Sequence, residues 1–216
     1  NLVIPQEIEY NNLVFTVEAI NKRAFSNCKK IKTIECPSTI KEIKSEYGNG
    51  AFLNCTNLEK VYFYGVEKIG QCAFQNCSKL RVVDLGNQLK SINKGTFFNC
   101  SSLVYIVIPS TVTSIGGSDM SNLGAFEGCT LLRTVIFLSD KKVNGYFGYN
   151  NIGKFTTYVK SDFISWDNNI FDYCGSEPTL SYTNNMPAGF KVTSDNKNTS
   201  LYKNVGTYTL YIPFTF

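Results

Sequence analysis

Apolar positions along this chain recur in phase. Counting forward from Cys28, Cys55, Cys77, Cys100 and Cys129, apolar residues stand at +3, +6 and +8 each time: Ile31/Ile34/Cys36, Leu58/Val61/Phe63, Leu80/Val83/Leu85, Leu103/Ile106/Ile108 and Leu132/Val135/Phe137. The last two positions of each set lie two apart, the spacing of a strand with one buried face. Pro37 and Pro109 stop two of these strands, and Gly86 holds the equivalent place in a third. A second apolar pair follows at +12 and +15 in Ile40/Ile43, Leu89/Ile92 and Val112/Ile115, with Val66/Ile69 one residue early. The cysteines close five like segments: Ala24-Phe25-Ser26-Asn27-Cys28, Ala51-Phe52-Leu53-Asn54-Cys55, Ala73-Phe74-Gln75-Asn76-Cys77, Thr96-Phe97-Phe98-Asn99-Cys100 and Ala125-Phe126-Glu127-Gly128-Cys129. Their cysteines are 27, 22, 23 and 29 residues apart. A unit of about 23 residues with insertions near 45–50 and 117–123 accounts for this spacing.

So short a unit cannot close a core alone, but stacked units can, because each apolar column meets the same column of its neighbours. Strands of adjacent coils then pair about 4.8 Å apart in a parallel sheet. The bulkiest column is Phe25, Phe52, Phe74, Phe97 and Phe126. At the N-terminal end, Leu2-Val3-Ile4-Pro5 reads as the tail of a repeat strand, which raises the expectation that sequence precedes it. The segments 7–10 and 13–17 flank Asn11-Asn12 and predict a hairpin acting as a cap. At the other end the repeat degenerates after Phe137, a last strand is expected over 156–159, and Ser161-Asp162 starts a short capping helix with Phe163, Ile164, Trp166, Ile170 and Phe171 on its apolar face. Residues 175–216 are turn-rich, with strand-like runs at 190–193 and 207–216, and are too few for a core of their own.

The pattern resembles the BspA-like leucine-rich repeat family of the LRR_5 type, whose coils run from a strand ending in Ile-Pro through V-x-x-I to A-F-x-x-C. The likeness covers roughly residues 1–174, with Thr96 for Ala, Gly128 for Asn, and Tyr64, Gly86 and Leu138 for Pro as departures. It implies a β-rich solenoid of the α/β leucine-rich repeat class, wound as a right-handed superhelix. The expected organisation is a capped solenoid over 1–174 and a β-rich segment over 175–216 packed on it or extending its sheet.

Composition narrows the chemistry. The 216 residues include no histidine, which removes Ser-His and Cys-His catalytic arrangements and His-ligated zinc. No phosphate-binding glycine loop, nucleophile elbow or paired C-x-x-C motif occurs, so no catalytic residue, cofactor or metal site is assigned and the chain is read as a non-enzyme. A net charge of +4 is too weak for a dedicated nucleic-acid binder, and no apolar run is long enough to span a membrane. Eight cysteines suggest disulfides, but five share one column with parallel side chains, so free buried thiols are expected; Cys72 is a candidate for exposure. Asn54, Asn76 and Asn99 begin glycosylation sequons yet belong to the repeat, where they should hold turns and bond the backbone of adjacent coils; Asn198 is the better acceptor.

Binding is then expected on the outward strand positions, Thr33/Glu35, Lys60/Tyr62, Val82/Asp84, Tyr105/Val107 and Thr134/Ile136. Among these, Tyr62, Tyr105, Val107 and Ile136 would form an exposed stripe, with Tyr47 of the first insertion beside it. A basic cluster of Lys22, Arg23, Lys29, Lys30 and Lys32 reads as a solvated face, with an acidic glycan polymer as the other reading. The residues support a protein-interaction scaffold; the family resemblance implies extracellular or cell-surface adhesion, with a host or cell-surface protein as partner, although neither signal nor anchor is recognised in this chain. Alternatives are a spacer or self-association segment of a larger surface protein, and a carbohydrate-binding module using Tyr62 and Tyr105 as stacking platforms.

Overall fold

The computed structural model describes residues 1–116, 123–139, 142–148 and 156–159, with three further strands at 179–182, 191–193 and 209–211. The strands run β1 (Leu2–Val3), β2 (Glu7–Tyr10), β3 (Leu13–Thr16), β4 (Ala19–Ile20), β5 (Thr33–Cys36), β6 (Glu42–Ile43), β7 (Lys60–Phe63), β8 (Lys68–Ile69) and β9 (Val82–Asp84). They continue as β10 (Ser91–Ile92), β11 (Tyr105–Ile108), β12 (Ser114–Ile115), β13 (Thr134–Phe137), β14 (Asn144–Gly145), β15 (Thr156–Val159), β16 (Thr179–Tyr182), β17 (Lys191–Thr193) and β18 (Thr209–Tyr211). No helix occurs among the described residues. The capping helix expected after Ser161, the insertion at 117–122, Cys174 and Asn198 lie outside them.

Each complete coil contributes one longer and one short strand. The longer strands pair in parallel in the orders β1-β5-β7-β9 and β11-β13-β15-β16, with β9 lying beside β11. The short strands form parallel ladders β4-β6-β8 and β10-β12-β14. Registration is column on column: Ile34 opposes Val61, Val61 opposes Val83, and Ile106 opposes Val135. The second apolar pair does the same, with Ile43 against Ile69 and Ile92 against Ile115. Both members of each expected pair are buried, so the two ladders enclose one continuous core.

Three columns with three different chemistries tie the coils together. The phenylalanine rings stack in file: Phe25 on Phe52 with centroids 5.2 Å apart, Phe52 on Phe74 at 4.9 Å, Phe74 on Phe97 at 5.7 Å and Phe97 on Phe126 at 5.4 Å. The file has a sixth member, Phe147, 4.5 Å from Phe126, so the repeat runs one rung past the point where the sequence pattern fades. Beside it, the cysteine thiols donate to backbone carbonyls one coil back, Cys77 Sγ to Phe52 O, Cys100 Sγ to Phe74 O and Cys129 Sγ to Phe97 O, each at 3.3 Å. All seven described cysteines are free, among them the five of the column, for which the spacing predicts it. Burial pushes the thiols of Cys77, Cys100 and Cys129 well up, and that of Cys36 to about 12.

The asparagines depart from expectation. Asn54 Nδ2 donates to Asn27 Oδ1 at 3.0 Å, Asn76 Nδ2 to Asn54 Oδ1 at 2.8 Å and Asn99 Nδ2 to Asn76 Oδ1 at 3.1 Å. Their side chains thus bond one another and not the neighbouring backbone. All four occupy the left-handed region, with φ of 58–62°, which Asn tolerates better than other side-chain-bearing residues. Gly128 takes the fifth place at φ 77°, where a Cβ would fall 2.1 Å from Asn99 Oδ1. The amide ladder therefore stops at this glycine.

Cys72 also differs from expectation: it is buried, with φ 58°. A Cβ on the next coil's Gly95 would sit 2.9 Å from its sulfur, so that glycine makes room for the thiol. The N-terminal hairpin forms as predicted, with Asn11 and Asn12 both at positive φ in a two-residue turn. It does not cap the stack: every residue of β2 and β3 is exposed.

Candidate functional site

Along the outer face of the longer strands, the register sets two rows. One runs Thr33, Lys60, Val82, and then Tyr105, Thr134, Thr156 in the second sheet; the other runs Glu35, Tyr62, Asp84, and then Val107, Ile136, Tyr158. Their exposure is graded. Glu35 is exposed and Thr33, Lys60 and Tyr62 are half-buried, whereas Val82, Asp84, Val107, Ile136 and Tyr158 are all buried. Val107 and Ile136, expected on an exposed stripe, are therefore interior residues, 1% and 0% accessible. Since a single chain hides them, the cover belongs to the chain itself. A signal of this was present: Tyr105-Ile106-Val107-Ile108 and Val135-Ile136-Phe137 are unbroken apolar runs, the pattern of strands buried on both faces, whereas Thr33-Ile34-Glu35-Cys36 alternates.

At the edge of the covered region polar and aromatic groups converge. Asp84 is 4% accessible, and its Oδ1 accepts the Gly86 N–H at 2.9 Å. Burial raises its carboxyl to about 7. Tyr62 opposes Asp84 across the β7–β9 pair; burial first, then Asp84 and Glu35, raise its phenol. Burial, with Tyr62 and Asp84, takes the Tyr105 phenol to about 12. Tyr64, half exposed and read from the sequence only as a departure from the repeat and not as a binding residue, feels Glu35, Asp84 and Tyr62 after its own burial. It occupies the position where Pro37 and Pro109 stop the equivalent strands, so an aromatic in place of a strand-ending proline was the available clue. Glu35, Tyr62, Tyr64, Asp84 and Tyr105 thus form one cluster of aromatic rings, phenolic hydroxyls and carboxyls at the open end of the face. Such a set can hydrogen-bond and stack. Among the described residues no group of three or more Cys, Asp or Glu side chains is placed to hold a metal ion, and no helix is long and apolar enough to cross a membrane.

Tyr47 lies elsewhere. It is 71% accessible and lines a cleft of about 480 Å³ with Gln71, Cys72, Lys94 and Leu123. The cleft borders the turn side of the coils, so the structure does not join Tyr47 to the Tyr62 cluster. In the basic cluster, Lys22 pairs with Glu46 of the first insertion.

A family model for the BspA type leucine rich repeat region matches residues 6–123 in six copies. No curated protein matches the chain. Among solved structures, the chain is similar to a leucine rich cell surface protein from Faecalibacterium prausnitzii A2-165, with 24% identity, a TM-score of 0.54, and 72% of this chain and 46% of that one covered. The pneumococcal vaccine antigen PcpA gives 19% identity and a TM-score of 0.52, covering 74% of this chain and 38% of that one. The leucine rich repeat protein of T. pallidum gives 21% and 0.53, covering 78% and 86%. The chain spans less than half the length of the first two. These likenesses concern the fold.

Proposed function

The chain belongs to the BspA-type leucine-rich repeat family, and from that premise we propose that it is a non-catalytic recognition module, secreted or displayed at a cell surface, that grips a protein ligand by the open end of its outer sheet face. The observation that carries this reading is the gradient along that face. In the row Glu35, Tyr62, Asp84, Val107, Ile136, Tyr158 the positions are shut from Asp84 onward, while Glu35 is exposed and Tyr62 half-buried, with Tyr64 exposed beside them. Tyrosines in a polar setting are what interface hot spots are made of, because a large rigid ring and a hydroxyl are offered at small entropic cost.

The same reading has residues 175–216 forming a β-rich segment that extends and covers the sheet, supported by the parallel pairing of β16 with β15. It has the coils winding right-handed, as parallel crossovers do. The cell-surface description of the Faecalibacterium protein supports an extracellular location. Adhesion to a host or neighbouring cell is the role such a module would serve.

The test is a binding screen of the purified chain against immobilised extracellular-matrix proteins, beside a glycan array. Tyr62→Ala/Tyr64→Ala is expected to weaken capture at least about tenfold while its thermal melt stays close to the parent's. Undiminished capture by that variant would reject this face, and retention by glycans alone would make the module a carbohydrate binder.

A further inference from the structure

The open end of the outer face carries acid without a matching cation. The register sets Glu35, Tyr62 and Asp84 in one row on consecutive coils, so Tyr62 stands between two carboxyl groups. Asp84 is 4% accessible; one of its oxygens accepts the Gly86 N–H, and the other has no hydrogen-bond partner among the described residues. The ion pairs among the described residues are Lys22–Glu46 and Arg81–Glu59, and neither includes Glu35 or Asp84. Lys60, the one cation of the two outer rows, stands opposite Thr33 and Val82 and not opposite either acid. After burial, acidic neighbours hold two phenols up: Asp84 and Glu35 for Tyr62, and Glu35, Asp84 and Tyr62 for Tyr64.

We propose that this cluster takes up a cationic side chain of the protein ligand, an arginine or lysine, seated on the Tyr62 and Tyr64 rings between the carboxyls of Glu35 and Asp84. It rests on the reading of this face as the gripping surface and adds what is gripped. Three properties select a cation. Aromatic rings attract positive charge to their faces. A guanidinium stacks on a ring while it pairs with a carboxylate, and Glu35 is exposed for that pairing. Asp84 is an acid in a poorly screened place with one oxygen unpaired, where a nearby cation relieves it and an anion is repelled. An apolar side chain meets none of these conditions, because it would cover Glu35 beside Asp84 and leave both unpaired.

Nuclear magnetic resonance of the chain with isotope-labelled tyrosine rings tests it, by titration with acetyl-Gly-Arg-Gly-amide and with the citrulline peptide, which keeps the shape of arginine and lacks its charge. The arginine peptide is expected to shift the Tyr62 and Tyr64 ring signals saturably, with a midpoint at least about tenfold below that of the citrulline peptide. Glu35→Gln/Asp84→Asn, which keeps both rings, should raise that midpoint at least about tenfold. Glu35→Gln alone, at an exposed site, should raise it about two- to fivefold with an unchanged melt. No saturable shift, equal midpoints for the two peptides, or a midpoint unmoved in both carboxyl variants overturns the proposal. Capture of a matrix protein separates it from the reading beneath it. A ligand lost to Tyr62→Ala/Tyr64→Ala but held by Glu35→Gln/Asp84→Asn keeps the face and overturns the cation, whereas capture that neither variant alters overturns both.

Discussion

Phe74→Ala tests the stacked architecture most directly. The ring is fully buried, lies between Phe52 at 4.9 Å and Phe97 at 5.7 Å, and is met at a tilt by Phe63 at 5.8 Å. Truncating a buried phenylalanine costs about 3–5 kcal/mol. Aromatic pairs add about 0.5–1.5 kcal/mol each beyond burial, and three are lost here, so the upper end of the range is expected. Phe25 supplies the internal control. It has the same place in the repeat but sits at the end of the file, is only partly buried, and stacks on Phe52 alone at 5.2 Å. With incomplete burial and a single pair, Phe25→Ala should cost less, roughly 2–3 kcal/mol. The gap of about 2 kcal/mol is the prediction, read by urea denaturation followed by far-ultraviolet circular dichroism. Slopes must be compared between variants, since long repeats can lose two-state behaviour. Equal costs at the two positions, or a cost below about 1 kcal/mol at Phe74, would refute coil-to-coil stacking as the source of stability.

Other outcomes follow from the remaining columns. Asn76→Ala loses two ladder hydrogen bonds and forces alanine to φ 62°, for about 2–3 kcal/mol, whereas Asn76→Gly keeps the backbone at ease and should cost only about 1 kcal/mol in the same melts. Native-state alkylation read by mass spectrometry should modify Cys28, which is partly accessible, well before the six buried cysteines of the described set. Asp84 sets a pH dependence. Its folded-state carboxyl is raised from 3.8 to about 7, so its contribution to stability is full below the unfolded value near 4 and is lost as pH rises through about 7. Asp84→Asn should flatten that decline in denaturation midpoints measured across this window; an unchanged slope would place the titration elsewhere.

Much of this architecture was legible before any coordinates. Period and phase alone identified the core pairs such as Ile40/Ile43 and the phenylalanine file, because a stack repeats each contact at every coil and so writes each one several times into the sequence. What occurs once was harder to see. Phe147 lacks the A-F-x-x-C frame and is found only by its neighbour Phe126. Burial of Val107 and Ile136 is not written in period or phase, because an outward strand position says nothing by itself about whether something lies on top. The hairpin was readable from Asn11-Asn12, but not its failure to cover the stack, since side-chain alternation gives a face and not a neighbour. Asparagine's preference for turns was correct, while its choice of partner depended on the distance between coils.

Phenylalanine, cysteine and asparagine files all bind a rung only to the rungs directly above and below it. Excising or duplicating one whole unit would therefore leave every surviving rung beside a partner of the kind it already had, and would change reach by about 4.8 Å per rung. Gly128 interrupts only the amide file, so the aromatic and thiol files carry the join across it. Length in such a molecule is a dial that can be turned in whole clicks, independently of whatever is held at its open end.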